Sequence, residues 1–363
     1  MTFPRAIPGP ARSSGLILSG QKSNYTVRIR RDWRVRVAIL GLVALGIAVP
    51  GSAQTVELPG SRALGMGGAF VAVASDSTAT WWNPAGLATG PFADTTVGRT
   101  TVDGGEQLPV WRQTAWWFAF ATPPLGVSYY RFRVTDIQPF NPTGPAGPDR
   151  EDRRAGVPVN SLSASQLGIT LVQTLIPGVH AGATLKYVRG TFHAGREDSL
   201  ASPDDLLDRG DALDNGETEG RFDLDVGLLA VTGPLRFGAL VRNVREPEFG
   251  SVRVPRQTRI GVAFAPEPVT GVPLTVAFDW DVQTYVTGSG RRRSIALGVE
   301  QWVWNKRLGI RAGGRANTTG AEEKAVTAGA SVAVRSGFFV EGHVTHGGSA
   351  DERGWGVGAR ASF

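Results

Sequence analysis

The last ten residues, GWGVGARASF from Gly354 to Phe363, alternate in character at every step. Counting back in twos from Phe363 gives Ala361, Ala359, Val357 and Trp355, while Ser362, Arg360, Gly358, Gly356 and Gly354 lie between them. Apolar side chains therefore share one face and small or charged ones the other, which is strand geometry. An edge strand of a soluble sandwich and the closing strand of a barrel are equally compatible with this segment alone.

The opposite end of the chain separates the two. Arg28, Arg30, Arg31, Arg34 and Arg36 lead into an apolar run, Val37 to Pro50, followed by Gly51-Ser52-Ala53. That order is the charged region, apolar region and small-residue cleavage site of a secretory signal peptide, too short to anchor in a bilayer. Residues 1–27 fit no part of it, as a start codon assigned too far upstream explains. Residues 1–53 carry eight basic residues and one acidic, so the whole chain's 38 Lys+Arg against 32 Asp+Glu become 30 against 31 without them. The basicity belongs to the leader and gives no reason to invoke nucleic acid. No cysteine is present, so an exported chain of this kind has no disulfide framework. In an exported protein, a strand ending on Phe363 resembles the C-terminal signal by which outer-membrane barrels are recognised by their assembly machinery, with Trp355, Val357 and Phe363 as its apolar face.

Beyond Ala53 no apolar stretch is long enough for a transmembrane helix. Segments of about ten alternating residues recur instead. In Leu274 to Gln283, Leu274, Val276, Phe278, Trp280 and Val282 oppose Thr275, Ala277, Asp279, Asp281 and Gln283. Arg221 to Ala230 and Arg307 to Ala316 repeat the pattern. Connections alternate short (Thr122–Pro124, Pro177–Gly178, Gly233–Pro234, Asn305–Lys306, Ser336–Gly337) and long (Asp136–Ser161, Thr191–Gly220, Val244–Arg256). This asymmetry is that of tight periplasmic turns and long outer loops. The expectation is an all-β fold, a transmembrane antiparallel β-barrel of about fourteen strands, with Asp94 to Thr101 as its least distinct strand.

Ahead of the barrel stands Arg62, then LGMGGAFVAVASDSTATWWNPAGL from Leu64 to Leu87. Gly65, Gly67 and Gly68 suit close backbone packing, and Asn83-Pro84 is a turn signal. The Arg-x-x-Gly-Met-Gly-Gly-Ala start, Asp76 and Asn83-Pro84-Ala85-Gly86 resemble the N-terminal region shared by FadL-type hydrophobic-compound transporters and the PorV/PorQ group of outer-membrane proteins. Val254-Pro255, Arg259-Ile260-Gly261, Asp279 and Leu308 to Gly314 add likeness to PorV/PorQ. The resemblance implies a hatch of residues 54–92 inside a barrel of residues 93–363, in the outer membrane of a Gram-negative-type bacterium. It implies either an acceptor or accessory barrel for exported proteins, the reading the motifs favour, or a passive transporter of small hydrophobic ligands. A structural, sealed barrel is the third reading.

Charges of both signs fall on faces read as lumenal: Arg131, Arg133, Asp223, Asp225, Asp279, Asp281, Glu300, Arg311 and Arg360. They point to a filled interior rather than a wide aqueous pore. No catalytic arrangement is legible: His343 and His346 fall on opposite strand faces, and no Gly-x-Ser-x-Gly elbow exists. No enzyme, cofactor or metal site is expected. The acidic stretch Asp198 to Glu219 reads as a solvated loop, with divalent-bridged contact to lipopolysaccharide as the alternative. Arg291 to Arg293 reads as a solvated charge run, with outer-membrane lipid phosphates as the alternative. Trp111, Trp116, Trp117, Trp302, Trp304 and Trp355 read as interfacial girdle.

The leader reading makes a direct prediction. Protein extracted from membranes should begin at Gln54 by N-terminal sequencing, and a mature chain retaining residues before Val37 would refute it.

Overall fold

The protein is described by a computed structural model covering residues 59–105, 108–137, 156–197, 201–250, 252–287, 290–320, 323–348 and 352–363. The expected leader, residues 1–53, lies outside the described residues. Fourteen antiparallel strands close into a barrel. In chain order they begin with β1 (Asp94–Gly104), β2 (Val110–Thr122), β3 (Leu125–Ile137), β4 (Val157–Ile176) and β5 (Val179–Glu197). β6 (Thr218–Thr232) and β7 (Leu235–Arg242) are followed by a small hairpin, β8 (Glu248–Phe249) and β9 (Val252–Arg253), outside the wall sheet. β10 (Gln257–Phe264) and β11 (Leu274–Asp281) precede a second such hairpin, β12 (Tyr285–Thr287) and β13 (Gly290–Arg292). β14 (Ser294–Val303), β15 (Leu308–Asn317), β16 (Lys324–Arg335), β17 (Phe338–Gly347) and β18 (Arg353–Ser362) complete the wall.

Closure runs through the strand least distinct in the sequence. β1 pairs with β18 from Asp94↔Ser362 to Asp103↔Arg353, and with β2 on its other edge. Ala93 and Phe363 exchange both backbone hydrogen bonds, at 3.0 and 2.8 Å, so the terminal residue is the last rung of the seam. No edge is left for lipid to strand unpaired. The short turns gather at the end that also holds the start of β1 and the end of β18. Between β10 and β11 the link is a single helical turn, α4 (Glu267–Thr270), in place of a tight turn.

Outward side chains are apolar over much of the wall. Leu167, Ile169 and Leu171 on β4 are 51–59% exposed. Leaving such side chains in water forfeits about 1.5–3 kcal/mol each relative to burial, so this exterior is built for hydrocarbon. Among the described residues no helix is long and apolar enough to cross a membrane.

β4 and β5 exceed expectation, with 20 and 19 residues. At 3.3 Å per residue each reaches roughly 65 Å, which overhangs a hydrocarbon core of about 30 Å even when tilted. The extra length is stabilised by helix α3 (Pro203–Ala212), where the sequence suggested only a solvated acidic loop. Ser202 caps it by accepting from the Asp205 amide, with Pro203 at its first position and Asp204 and Asp205 favouring its N-terminus. Leu206 and Leu207 pack on outward-facing Val110, Ile137, Val157 and Val159. Arg112 bridges Asp208 at 2.6 Å and Asp103 at 2.9 Å, and Thr135 donates to Asp211 at 2.5 Å. The helix is thus clamped to the outside of the wall.

Two further expectations are corrected. On β3 the inward set is Ser128, Tyr130, Phe132 and Val134, all buried, so Arg131 and Arg133 face outward rather than into the lumen. The reason is that Tyr130 and Phe132 pack edge-on against Trp81 inside the barrel. The tryptophans also divide. Trp116, Trp304 and Trp355 are outward and 41–74% exposed. Trp117 is buried, Trp111 packs on the lumenal cluster, and Trp302 donates to Glu300 at 2.9 Å.

The Phe363 ring stands edge-on to Phe338 at 5.3 Å, a contact of about 0.5–1.5 kcal/mol. A charge there, near the interface, costs only about 0–1 kcal/mol more. Phe363→Asp should therefore lower the yield of heat-modifiable barrel mainly by slowing assembly. Removing Thr319 from an outer loop should not, and equal yields would contradict the seam's importance.

Candidate functional site

The N-terminal segment lies inside the barrel. α1 (Ser61–Gly65) is followed by a buried run to Ala74, then α2 (Ala79–Trp82) and a 3₁₀ turn, Pro84–Thr89. Gly67 and Gly68 adopt φ of 69° and 84°, which residues with a Cβ reach only with strain. The Asn83 carboxamide accepts from the Ala85 amide at 3.1 Å, starting the 3₁₀ turn with Pro84 at its first position. Its amide donates to the carbonyls of Val71 at 2.8 Å and of Leu228 at 3.0 Å. Asn83 thus forms the expected turn and docks it on backbone.

The wall carries the complement of this path. Gly298 pairs with Gly313, Gly238 with Gly261, and Gly182 with Gly227 across adjacent strands. A Cβ on Gly313 would fall 2.2 Å from the Met66 carbonyl carbon, and one on Gly227 2.0 Å from Asn83 Oδ1. On Gly238 it would meet the Val71 carbonyl oxygen at 2.5 Å, and on Gly182 the Pro84–Ala85 backbone at 2.4 Å. Gly65 itself abuts Gly329. The hatch backbone therefore presses onto a belt of bare wall. Sequence reasoning assigned close approach only to Gly65, Gly67 and Gly68; recurrent glycines at inward strand positions were the available signal for the other half.

Charge pairing holds the hatch in register. Arg62 forks onto Glu300, with Nη2 to Oε2 at 2.7 Å and Nε to Oε1 at 2.9 Å, and reaches Asp76 at 3.2 Å. Arg311 meets the same Glu300 at 3.3 Å and lies 4.0 Å from Glu341. Asp279 accepts from the Phe70 and Val71 amides, both at 2.8 Å, satisfying hatch backbone directly. Ser77 donates its amide to Asp94 at 2.7 Å, and Arg360 pairs with Asp94 at 2.7 Å. Elsewhere in the lumen Lys186 joins Asp223 at 3.1 Å and Asp225 at 2.6 Å, and Arg259 joins Asp281 at 2.7 Å. The lumenal residues anticipated in the sequence thus fall into separate clusters, of which Glu300, Arg311, Asp279 and Arg360 serve the hatch. Burial opposes ionisation of Asp76, yet the Arg360 and Arg62 guanidiniums and the Thr78 hydrogen bonds outweigh it and hold the carboxyl below its usual range. Burial also opposes charge on Arg62, and Glu300 and Asp76 outweigh it, raising its affinity for the proton.

Toward the long loops an apolar cluster stands beside the buried Lys186–Asp223–Asp225 and Arg259–Asp281 pairs. The β8–β9 hairpin folds into the mouth, where Phe249 is fully buried and would touch a Cβ on Gly190 at 2.5 Å. Phe249, Val252 and Val254 join Phe132, Val188 and Trp81 in one continuous cluster. Beneath the hairpin a cavity of about 20 Å³ is lined by Trp81, Phe132, Gln166, Val188, Arg242 and Val254, among others. Trp81 Nε1 and Gln166 Nε2 are buried without a hydrogen-bond partner among the described residues. Arg242 lies over the Trp81 ring at 4.7 Å and donates to the Trp81 carbonyl at 3.1 Å, joining hatch to wall at this level. Among the described residues no cluster of histidine and carboxylate ligands fits a metal ion.

Arg62→Ala strands Glu300 beside one remaining arginine, and loss of a buried pair's partner costs about 3–5 kcal/mol. The variant should expose the hatch to protease in detergent while the barrel keeps its heat-modifiable mobility. Because the Asp76 carboxyl is held below its unfolded value, near 3.9, its contribution is present above that pH and lost as pH falls through the lower folded value. Acid should therefore release the parent hatch in the same assay. A variant as resistant as its parent would show that these pairs do not seat the hatch.

Comparison with known proteins follows this geometry. No curated protein matches the chain. Among solved structures, the fold is similar to the CymD monoaromatic hydrocarbon channel, at 12% identity, 86% of this chain, 99% of that one and a TM-score of 0.60. A Pseudomonas aeruginosa FadL homologue matches at 10% identity, covering 86% and 100%, with a TM-score of 0.55. The Pseudomonas putida toluene transporter TodX matches at 11% identity, covering 86% and 98%, with a TM-score of 0.54. At such identities the likeness is one of fold, that of the FadL-type barrel. The family model described as "F plasmid transfer operon, TraF, protein" matches residues 101–303, more than half of the chain. A hatch-filled FadL-type barrel carrying that family's sequence signature through β1 to β14 belongs to the TraF family of the F plasmid transfer operon.

Proposed function

We propose that this barrel resides in the outer membrane and passes small hydrophobic compounds through its lumen. The observation that carries this reading is the apolar shaft running from Phe249 at the mouth to Trp81 on the hatch. Apolar solutes partition against its aromatic and aliphatic side chains. The β8–β9 hairpin acts as the outer stopper and the hatch as the inner one, so passage requires both to shift. The solved proteins of the same fold named above, a monoaromatic hydrocarbon channel and a toluene transporter, support this choice over the exported-protein acceptor that the sequence motifs favoured.

The test uses barrels reconstituted into liposomes and a fluorescent naphthylamine probe. Phe249→Ala should raise probe uptake several-fold without raising ion conductance, because the hatch still closes the bore. Unchanged uptake in Phe249→Ala and in a variant lacking residues 59–92 would refute transport. It would leave the sealed barrel.

A second reading is an accessory barrel that binds an exported or transferred protein. It rests on the PorV/PorQ-like motifs and on membership of a family described from a plasmid transfer operon. Under either reading the chain is exported through its leader and inserted by the barrel assembly machinery, and neither requires catalysis.

A further inference from the structure

The outward-facing arginines displaced from the lumen form a pattern of their own. Register places Arg99 on β1, Trp116 on β2, Arg131 on β3, Ser165 on β4 and Arg189 on β5 in one row across adjacent strands. All three arginines are exposed, and neighbouring strands lie about 4.8 Å apart, so guanidiniums on alternate strands stand roughly 10 Å apart. Arg133, one outward position higher, donates to Ser163 at 2.8 Å. Among the described residues no carboxylate pairs with Arg99, Arg131 or Arg189.

The rows on either side differ sharply. Toward the short turns the next outward row is Val97, Phe118, Tyr129, Leu167, Tyr187 and Phe222. Toward the long loops it is Thr101, Thr114, Arg133, Ser163, Thr191 and Thr218. The arginine row therefore separates a hydrocarbon-facing stretch of each strand from a polar one. Past Arg99 the row continues through Val357 on β18 and Gly342 on β17, both uncharged, so the arginine sector ends at β1. Within that sector a groove of about 520 Å³ is lined by Arg99, Trp116, Arg131, Arg133 and Ser163, with Asp211 of α3 at its edge. Trp116 is packed on Tyr129 at 5.0 Å, which fixes its ring at the groove wall.

We infer that this sector is a binding site for a phosphorylated glycolipid of the outer leaflet. Guanidinium forks match phosphate oxygens, and the spaced arginines suit a headgroup bearing more than one phosphate. Trp116 offers a flat apolar face to a sugar ring, and the apolar rows below receive acyl chains. Unpaired arginines on a lipid-facing wall are costly unless they sit at the headgroup level and meet anions there. α3, clamped above the groove by Arg112, closes its upper side.

The test measures binding of diphosphorylated lipid A to the full-length barrel in detergent. The combined variant Arg99→Gln, Arg131→Gln and Arg189→Gln should bind about tenfold more weakly. Arg335→Gln, at the short-turn end of β16, should bind as the parent does. Dephosphorylated lipid A should bind the parent no better than the combined variant binds the phosphorylated form, and inorganic phosphate should not displace the lipid. Equal affinity of parent and combined variant, or of the two lipids, would overturn the site. Complete displacement by inorganic phosphate would reduce it to an adventitious ion only. Should the combined variant fail to show heat-modifiable mobility, Arg131→Gln alone carries the same measurement with the same two outcomes.

Discussion

A closed wall of fourteen strands encloses a bore wider than its own inward side chains can fill, and that space must be occupied without leaving charge or backbone polar groups stranded. The fit between the hatch and the wall glycines meets this constraint. Paired glycines on neighbouring strands remove side-chain bulk where the hatch main chain runs, so backbone meets backbone at van der Waals distance. Wall carboxylates then satisfy what the irregular hatch backbone leaves open, as Asp279 does for Phe70 and Val71. Arg62, Glu300 and Arg311 specify register within this fit. A buried pair adds little net stability, but displacement of either partner is costly.

The lumen is accordingly two regions with different physics. At hatch level, ion pairs and backbone hydrogen bonds make a rigid floor. Toward the mouth, aromatic and aliphatic side chains around Phe249 and Trp81 make non-directional contacts beside the Lys186 and Arg259 pairs. Trp81 and Arg242 sit at the boundary, so occupation of the shaft and seating of the hatch share the same residues.

The exterior is asymmetric for related reasons. Long β4 and β5 raise one side of the rim, and α3 covers the wall there. Beyond β6 the wall is low, with β7, β10 and β11 at eight residues each, and the hairpin that enters the mouth springs from this low rim. The high side thus presents charge to the headgroup layer while the low side supplies the stopper.

The alternation of period two in segments such as Leu274 to Gln283, and the rhythm of short and long connections, were enough to establish the strands, their number and their antiparallel order. These are local properties, since a strand's faces and a turn's length are written in consecutive residues. The hatch was expected only from the likeness of its Arg-x-x-Gly-Met-Gly-Gly-Ala and Asn-Pro-Ala-Gly motifs to known barrel families. What tertiary structure alone decided is which face looks inward where both are plausible. On β3, Tyr-Tyr-Arg-Phe-Arg-Val offers an aromatic or an arginine to either side, and only packing of Tyr130 and Phe132 on Trp81 turns Arg131 and Arg133 outward. The register of wall glycines, the folding of an acidic stretch into α3 around Leu206 and Leu207, and the inward turn of Phe249 depend likewise on the stagger of distant strands. Such stagger is a property of the closed sheet, and no consecutive run of residues encodes it.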